Sequence, residues 1–366
     1  MLQAGLIGCG NISGAYLRNN NVFSHLRIVK CASRREESAR AVAEQFGIEA
    51  VSVDALFRDP EIDMILNLTT PDVHAELNLR ALEAGKHVYA EKPFAVTRED
   101  GRKVLRLASE KGLRVGCAPD TFLGGGHQTC RKLIDSGAVG TITGGCAVMA
   151  YRGPESWHPN SGFYYRKGGG PLMDMGPYYI TALVNLLGPV KRVAGFGSRA
   201  TDLRLGSGTN QGKTYPVEVD THIAAILEFV SGAVVNLTMS FDVFRLSSQM
   251  QNCIELWGLD GALRTPDPNT FSGEVRFANA KSVSDWEMPE NTFLYNDNMR
   301  LIGLADMAAG IELNRPHRCS GELTYHVLDV MCSVLDSAEN GQFVMVESTC
   351  DRPAPLLEGL ALGELD

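Results

Sequence analysis

The chain lacks the features that would mark a membrane, secreted or nucleic-acid-binding protein. Hydrophobic residues make up 44% of its 366 positions, but the longest apolar runs are strand-sized and interrupted, so no membrane-spanning segment is predicted. Its start has neither a basic region nor a long apolar stretch, which argues against a secretory signal. With a formal net charge of −9 and no cluster of Lys and Arg, the sequence also argues against a nucleic-acid partner.

Disulfide and metal-binding patterns are missing as well. The nine cysteines are odd in number and scattered, with no C-x-x-C spacing. They indicate reduced thiols, mostly packing residues, in a cytoplasmic protein, and we expect Cys9 to be a small filler. The eight histidines show no H-x-x-x-H or similar spacing with carboxylates, so we predict no structural or catalytic metal.

What the sequence does contain begins with a strand, a glycine-rich turn and a helix. Residues 4–8 form a short apolar run, residues 8–14 read Gly-Cys-Gly-Asn-Ile-Ser-Gly, and a helix is predicted to begin at Ala15. This order is the one that a dinucleotide pyrophosphate requires. Gly14 comes one position later than in strict G-x-G-x-x-G spacing. On its own the turn therefore stays open to a purely structural interpretation.

Each part of the turn has an expected role in holding phosphates. Gly8 permits the tight turn, and Gly10 lets the backbone approach the phosphates with no Cβ in the way. The N–H groups at the helix start supply the positive end of a dipole. We expect Asn11 and Ile12 to line the cofactor there.

The second strand bears on the choice of cofactor. It is predicted over residues 26–33, and its end lies where an acidic residue would bind the adenosine ribose; the chain has Ser33, Arg34 and Arg35 instead. A hydroxyl and two guanidinium groups suit a 2′-phosphate. We therefore favour NADP, with NAD possible. In the alternative interpretation, both arginines are solvated and pair with the two glutamates that follow them.

Two further strands place polar residues at the same sheet edge. The third is predicted over residues 64–69, a helix over residues 72–84 and the fourth strand over residues 87–90. The fourth strand delivers Glu91-Lys92-Pro93 at the carboxyl edge, where ligands bind in parallel sheets. The proline keeps the lysine extended and lowers the cost of a cis peptide. A lysine at a strand end is ordinarily a surface charge, but this position and these neighbours favour a functional role.

With these motifs the chain resembles the Gfo/Idh/MocA family of NAD(P)-dependent sugar oxidoreductases, which carry Glu-Lys-Pro after a Rossmann strand. The likeness covers nearly the whole chain. Four more motifs contribute to it: Thr70-Pro-Asp-Val-His74, Leu82-Glu-Ala-Gly-Lys-His-Val88, Leu133-Ile-Asp-Ser-Gly-Ala-Val-Gly140 and Gly168-Gly-Gly-Pro-Leu-Met-Asp-Met-Gly176. Together they are far more specific than the glycine turn.

The resemblance implies an α/β N-terminal Rossmann domain over residues 1–120 and an α+β C-terminal domain with an open, mainly antiparallel sheet over residues 121–366. It implies hydride transfer between a nicotinamide and a secondary alcohol or ketone of a sugar, sugar derivative or polyol. It also implies a homo-oligomer, a dimer or tetramer, formed through the outer face of the C-terminal sheet. The expected cofactor-binding residues are Gly8, Gly10, Asn11, Ile12, Ser33, Arg34, Arg35, Thr69, Thr70, Pro71, His74, Glu91 and Lys92.

The second half of the chain agrees with this division. Period-two stretches and turn residues predict strands over residues 145–151, 190–198, 221–230, 233–241 and 252–259. Helices are predicted over residues 128–136, 171–187 and 325–338. Residues 204–213, rich in Gly, Ser and Asn, are predicted to be a mobile loop.

The expected catalytic residues are Lys92, Tyr178 and Asp174. Asp174 and Tyr178 are four residues apart and so lie on one helical face. Oxidation of an alcohol needs a base for the hydroxyl proton, and a neighbouring Lys92 ammonium would lower the phenol pKa from its usual ~10. Family members usually have histidine where this chain has Tyr178. Asp174 would bind a sugar hydroxyl or hold Lys92 charged; alternatively, it pairs within the helix and Tyr178 is an interface aromatic.

The residues that precede the three glycines beginning at Gly168 are expected to line the entrance of the substrate-binding cleft. An aromatic surface with polar partners suits a sugar ring. Packing of one loop on another explains Trp157 equally well. The expected substrate-binding residues are Lys92, Trp157, His158, Tyr165, Arg166, Asp174 and Tyr178.

Two other functions stay open at this point. The resemblance extends to NAD-dependent glycosidases, in which the nicotinamide oxidises and re-reduces the same sugar while the glycosidic bond is cleaved. A non-catalytic sensor would bind dinucleotide and sugar without turnover. Retention of Lys92, Asp174 and Tyr178 argues against a sensor, which needs no proton acceptor.

Overall fold

The computed structural model describes residues 1–247, 252–280 and 285–366, and its contacts divide the chain into two compact units. The first unit comprises Met1–Gln128, Thr292–Leu328 and Pro353–Asp366. The second comprises Thr129–Asn291 and Asp329–Arg352. Each unit therefore combines separate stretches of chain. The predicted functional boundary at residue 120 stays a prediction.

The first unit contains a six-stranded, fully parallel sheet. Its strands are β1 (Leu2–Ile7), β2 (Leu26–Ala32), β3 (Glu49–Ala50), β4 (Met64–Asn67), β5 (His87–Ala90) and β6 (Val115–Cys117). Their spatial order is β3-β2-β1-β4-β5-β6, which is that of a Rossmann fold. The order reverses between β1 and β4, and ligands bind at such a reversal.

Helices follow each of the first strands. They are α1 (Ser13–Leu17), α2 (Glu36–Phe46), α3 (Val53–Arg58), α4 (His74–Glu83) and α5 (Arg98–Lys111). Helix α5 begins after Thr97, whose Oγ1 accepts a hydrogen bond from the Asp100 N–H at 3.1 Å. Left-handed glycines end α2 at Gly47 and α5 at Gly112. These local signals are the ones from which sequence patterns predict helix ends.

Three later helices are α6 (Gly125–Asp135), α8 (Ile302–Glu312) and α9 (Gly321–Asn340). Helix α8 belongs to the first unit and was not predicted from the sequence. Residues 302–310 of this helix are all buried, so it has no polar face and no helical alternation of polar and apolar residues. Buried on every side, such a helix escapes a search for amphipathic periodicity.

The second unit is built on an eight-stranded mixed sheet. Its strands are β7 (Ile142–Ala150), β8 (Val190–Ser198), β11 (His222–Phe229), β12 (Val234–Ser240), β13 (Cys253–Gly258), β14 (Gly261–Arg264), β15 (Arg276–Asn279) and β16 (Val344–Met345), and a separate ribbon consists of β9 (Leu203–Leu205) and β10 (Thr214–Pro216). The order is β15-β14-β13-β7-β12-β11-β8-β16, antiparallel except for β7 with β12. Helix α7 (Gly170–Leu187) is almost entirely buried.

The observed architecture confirms the predicted fold class, an α/β Rossmann unit together with an α+β unit that carries an open, mainly antiparallel sheet. The five strands predicted in the second half of the chain all exist, with shifts of at most a few residues at their ends. Alternating buried and more exposed residues along β11 and β12 explain why a period of two revealed them. In the part of the chain that the structure describes, no helix is both long and apolar enough to cross a membrane.

Two residues of the segment predicted to be a mobile loop, residues 204–213, are held by hydrogen bonds to other parts of the second unit. This segment joins β9 to β10, and Arg204 is largely buried between two carboxylates. Asn210 is fully buried and donates to the carbonyl oxygens of Glu155 and His158 at 3.2 and 2.7 Å. The polar residues of segment 204–213 thus include some that bond to another loop. Composition alone does not distinguish such residues from polar residues that are hydrated.

Candidate functional site

Three chain segments meet at the carboxyl edge of the parallel sheet in the first unit. The glycine turn follows β1, the Thr69–Pro71 turn follows β4, and Glu91–Pro93 follows β5. Because β1, β4 and β5 are parallel neighbours, these segments lie side by side at the reversal of strand order. The structure therefore brings together the cofactor-binding positions that the sequence predicted at this edge.

The first two glycines of the turn are explained by different physical reasons. Gly8 has φ +105°, and a Cβ there would lie 2.6 Å from the carbonyl carbon and oxygen of Leu68. The fold itself therefore requires glycine at this position. A Cβ on Gly10 would meet no atom within 4 Å. Nothing in the described protein excludes a side chain at this position. A phosphate that lay against the backbone would exclude one.

The turn after β4 is shaped by the buried Asn67 side chain. Its Oδ1 accepts hydrogen bonds from the Thr69 N–H at 3.2 Å and from Thr69 Oγ1 at 2.6 Å. Its Nδ2 donates to Asn78 Oδ1 at 2.8 Å. Asn67 was not singled out from the sequence, because an asparagine inside an apolar strand gives no signal of its partners.

His74 was predicted to contact the cofactor, and the structure corrects this role. The ring is fully buried, with Nδ1 2.9 Å from the Pro93 carbonyl oxygen and Nε2 2.9 Å from the Thr69 carbonyl oxygen. Both ring nitrogens thus face backbone carbonyl oxygens. His74 joins the turn after β4 to the Glu-Lys-Pro segment, which makes it a positioning residue.

Glu91 is likewise a positioning residue. Only 8% of its surface is exposed, and its Oε1 accepts from the Tyr16 hydroxyl at 2.8 Å while its Oε2 accepts from the Lys92 N–H at 2.9 Å. Burial, together with the Glu91 charge, holds the Tyr16 pKa well above its usual value, so the phenol stays a neutral donor. Since Tyr16 lies on α1, this carboxylate connects the glycine turn to Lys92.

Lys92 stands at the end of β5 as predicted, half-buried, and its peptide bond to Pro93 is cis. The Glu91 N–H donates to the Asn67 carbonyl oxygen at 2.8 Å, so the preceding residue continues the pairing of β5 with β4. The backbone on both sides of Lys92 is therefore fixed by buried hydrogen bonds.

Asp120, just beyond β6, is a buried carboxylate that sequence reasoning missed. Burial raises its pKa to about 6, against the opposing effects of Arg300 and of hydrogen bonds from the backbone. Its Oδ2 accepts from the N–H groups of Leu301 and Gly303 at 3.2 and 3.1 Å, at the start of α8. Its local sequence gave no signal, because the helix that it caps lies about 180 residues away.

The predicted ribose end of the site is exposed and contains two arginines. Arg34 and Arg35 are exposed, and Ser33 is half-buried after β2. Within the described chain neither arginine forms an ion pair, while Glu36 pairs with Arg40 at 2.9 Å. The pairing with the following glutamates that the alternative interpretation expected is not found in the described chain, whereas both arginines are exposed, as that interpretation also expected.

In the second unit, Asp174 and Tyr178 lie one turn apart on α7, as predicted. Asp174 is half-buried and Tyr178 is buried. A Cβ on Gly169 would lie 2.6 Å from the carbonyl oxygens of Phe163 and Tyr164. Close packing within the second unit therefore explains this glycine.

The Asp174 charge acts on two aromatic neighbours. Burial raises the pKa of Tyr151, at the end of β7, and the carboxylate of Asp174 raises it further. Burial lowers the pKa of His158, and here the Asp174 carboxylate acts in the opposite direction. Tyr151 was not singled out from the sequence, although it shares this charged and aromatic surface with the predicted residues.

The loop ahead of α7 presents an exposed aromatic surface. The indole of Trp157 is 56% exposed and meets His158 edge-on, with ring centroids 5.5 Å apart. Phe163 and Tyr164 stack on each other at 4.0 Å and also face His158. More than half of the Trp157 surface is therefore accessible rather than covered by another loop.

Tyr165 was predicted to contact substrate, and the structure corrects this. It is fully buried, its hydroxyl donates to Glu155, and the Arg204 guanidinium lies 5.5 Å from its ring centroid. Arg204 also donates to Glu155 Oε1 at 2.7 Å and to Asp242 Oδ1 at 2.5 Å. Tyr165 therefore packs under the exposed aromatic residues of this loop. The neighbouring Arg166 is exposed.

Comparison with known proteins agrees with this geometry. A family model described as an oxidoreductase family with an NAD-binding Rossmann fold matches residues 2–118. The model of the GFO/IDH/MocA C-terminal domain matches residues 127–264. Together the two matches cover well over half of the chain. The chain belongs to the Gfo/Idh/MocA oxidoreductase family, which confirms the predicted family.

Similar proteins include two curated enzymes named dTDP-3,4-didehydro-2,6-dideoxy-alpha-D-glucose 3-reductase. The one from Streptomyces violaceoruber is 34% identical over 53% of this chain and 57% of its own length. The one from Saccharopolyspora spinosa is 28% identical over 79% of this chain and 82% of its own. Among solved structures, a levoglucosan dehydrogenase in complex with NADH and L-sorbose has a TM-score of 0.80 and 22% identity, covering 95% of this chain and 99% of that one.

The contrast between Gly8 and Gly10 yields a test of the glycine turn. Gly10→Ala should leave the free energy of unfolding within about 0.5 kcal/mol of the unmutated value, because its Cβ enters open space. It should raise the NADH dissociation constant about tenfold or more, because the Cβ displaces a phosphate. Gly8→Ala should cost about 3 kcal/mol of stability through backbone strain and the clash with Leu68. Urea unfolding and fluorescence titration measure the two quantities, and a Gly10→Ala protein with unchanged NADH affinity would contradict the assignment.

Proposed function

We propose that this protein transfers a hydride between a nicotinamide cofactor and a secondary alcohol or ketone of a sugar, sugar derivative or polyol. The observation that carries the proposal is a lysine at the carboxyl edge of the parallel sheet, whose backbone is joined to the helix after the glycine turn through the Glu91 carboxylate. The curated relatives include reductases of dTDP-linked sugars and an inositol 2-dehydrogenase, which supports a carbohydrate substrate.

Three residues carry the proposed chemistry. The bound nicotinamide supplies a hydride acceptor or donor. Lys92 binds the reacting oxygen and stabilises negative charge on it. Tyr178 accepts the hydroxyl proton during oxidation, which requires its ionised form, and Asp174 binds a neighbouring hydroxyl. Trp157 and His158 contribute the aromatic surface on which a sugar ring stacks.

The catalytic roles predict distinct kinetic losses. Lys92→Met should lower kcat by roughly 10²–10⁴-fold while NADH affinity stays near its original value, because the lysine acts on the substrate oxygen. Tyr178→Phe should lower the rate of alcohol oxidation and remove the limb of its pH profile that rises with pH. Lys103→Met, at an exposed lysine paired with Glu99, is the matched control and should change neither quantity. Turnover is followed by nicotinamide absorbance with a panel of sugars, polyols and their keto forms.

Opposite results would assign these residues differently. A Lys92→Met protein that keeps most of its kcat would make the Glu-Lys-Pro segment structural. If Tyr178→Phe keeps the pH profile and only raises KM, the phenol positions substrate and does not accept the proton. If no member of the panel is turned over by the unmutated protein with either cofactor, the proposed reaction is wrong.

We propose NADP(H) as the preferred cofactor, because Arg34 and Arg35 are exposed, unpaired in the described chain and placed after β2. Charge-assisted hydrogen bonds to a 2′-phosphate would favour NADPH over NADH, and added salt should weaken that preference. Titration of Arg34→Ala and Arg35→Ala should show a selective loss of NADPH affinity. Arg40→Ala is the control, since Arg40 is paired with Glu36. Equal or tighter binding of NADH by the unmutated protein would contradict this preference.

We also propose a homo-oligomer formed through the outer face of the eight-stranded sheet. Exposed apolar side chains on four of its strands, Phe196, Ile226, Val234 and Trp257, support the proposal. Ile226→Glu should lower the sedimentation coefficient by separating the subunits. Leu205→Glu, at an exposed leucine on β9, should not. A protein that sediments as a monomer before mutation rules the proposal out.

A further inference from the structure

The aromatic rings of the second unit continue beyond the residues that the proposed function uses. His158 contacts Trp157 on one side and Tyr164 on the other, with ring centroids 5.5 and 5.2 Å apart. The Phe241 ring meets Tyr164 at 6.2 Å and Tyr151 at 5.3 Å. These five residues, which we call the aromatic row, connect the exposed Trp157 to Tyr151 at the end of β7.

A second strongly exposed aromatic side chain lies at the Tyr151 end of the aromatic row. Phe244, beyond β12, is 80% exposed, the largest exposed fraction of any large apolar side chain among the described residues. The guanidinium of Arg152, the residue after Tyr151, lies over the Phe244 ring at 5.5 Å from its centroid. The Val243 N–H donates to the Tyr151 carbonyl oxygen at 3.4 Å, so the chain after β12 stays beside the chain after β7.

Arg204 fixes the backbone beneath this stacked pair. Its guanidinium donates to the carbonyl oxygen of Arg152 and to that of Phe241, the latter at 2.9 Å. It also pairs with the Asp242 carboxylate at 2.5 Å. The backbone is thus held by a largely buried ion pair, while the side chains of Arg152 and Phe244 are left on the surface.

The exposed cations on these segments are not neutralised by the protein. Arg152, Arg166 and Lys167 are exposed, and no carboxylate of the described residues forms an ion pair with any of them. The whole chain carries a formal net charge of −9, so these three cations are a local excess of positive charge. Such an excess attracts anions. A guanidinium stacked on a ring also keeps its N–H groups in its own plane, where they can bind a phosphate or carboxylate through two hydrogen bonds.

We propose that Arg152 and Phe244 form a second subsite that binds an anionic group joined to the reacting sugar. The substrate is then an acidic carbohydrate, one that carries a phosphate or a carboxylate. Arg152 binds the anion, and the Phe244 ring holds the guanidinium in place. Arg166 and Lys167 add attraction at longer range.

The position of the reacting sugar in this inference rests on the proposed function, which places that sugar against Trp157 and Asp174. The aromatic row joins Trp157 to the new subsite through ring contacts. Helix α7, which carries Asp174, begins against the same loop, since a Cβ on Gly169 would lie 2.6 Å from the Tyr164 carbonyl oxygen. One ligand that spans the row therefore reaches both places within the second unit.

Equilibrium binding of matched sugars to the whole chain tests the subsite without requiring turnover. Glucose, galactose and mannose are each compared with their 1-phosphate, their nucleoside-diphosphate derivative and their uronate by calorimetry. Saturating NADH is present, so that the glycine turn is occupied. We expect at least one acidic derivative to have a dissociation constant about tenfold or more below that of its neutral sugar. Added salt should reduce this preference, and the derivative that binds best distinguishes a phosphate from a carboxylate.

Variants of the stacked pair assign the preference to this subsite. Arg152→Gln should raise the dissociation constant of the preferred acidic sugar about tenfold, and Arg152→Lys should restore only part of the loss, because lysine lacks the fork of N–H groups. Phe244→Ala should weaken binding in the same direction, whereas Phe244→Tyr keeps the ring and should retain the preference. Arg276→Gln, at an exposed arginine on β15 that pairs with Glu274, is the matched control and should bind as the unmutated protein does. All these side chains are exposed, so an unchanged Tm is expected throughout.

Binding and turnover together distinguish the subsite from the proposed reaction. If acidic and neutral sugars bind alike, or if Arg152→Gln keeps the full preference, the subsite is wrong and turnover of a neutral sugar still supports the proposed reaction. If an acidic sugar binds through Arg152 but is not turned over with either cofactor, the subsite stands and the reaction is wrong. If no neutral or acidic sugar binds, both are overturned.

Discussion

The buried Glu91 carboxylate needs a hydrogen-bond donor at each oxygen, because an unsatisfied buried charge costs several kcal/mol. The Tyr16 hydroxyl and the Lys92 N–H meet this requirement. One donor comes from the helix after the glycine turn and the other from the lysine motif itself. Satisfying this one charge therefore joins the segment expected to hold a dinucleotide to the segment expected to carry the chemistry. Removing either donor would leave the carboxylate under-satisfied, which couples the geometry of the site to the stability of the sheet edge.

Asn67 and His74 extend the same arrangement to the turn after β4. Asn67 shapes that turn through its Oδ1, and His74 places one ring nitrogen at the Thr69 carbonyl and the other at the Pro93 carbonyl. The backbone around Lys92 is thus positioned by folding energy before any ligand binds. A preorganised group needs no reorganisation when charge develops on a substrate, so binding energy is not consumed in placing it.

The second unit uses buried charge in a similar way to support an aromatic loop. Arg204 on β9 lies between Glu155 and Asp242 and beside the Tyr165 ring, so this one residue holds the loop that presents Trp157. An exposed Trp157 ring above a buried Tyr165 is the arrangement on which the proposed stacking of a sugar ring rests.

The local sequence pattern by itself determined the strands, several helices and the position of the lysine motif. Alternation and apolar runs placed the strands, helical spacing placed helices such as α4 and α7, and the position of Glu91-Lys92-Pro93 after β5 followed from the strand pattern. Only the tertiary structure decided that His74 and Tyr165 turn inward, that Arg204 is buried in an ion pair, and that α8 joins the first unit. The reason is physical: burial and hydrogen-bond partners depend on residues tens to hundreds of positions away, as with Asp120 and Leu301. A local pattern records which side chains are polar, whereas folding decides which of them find a protein partner and which remain for a ligand.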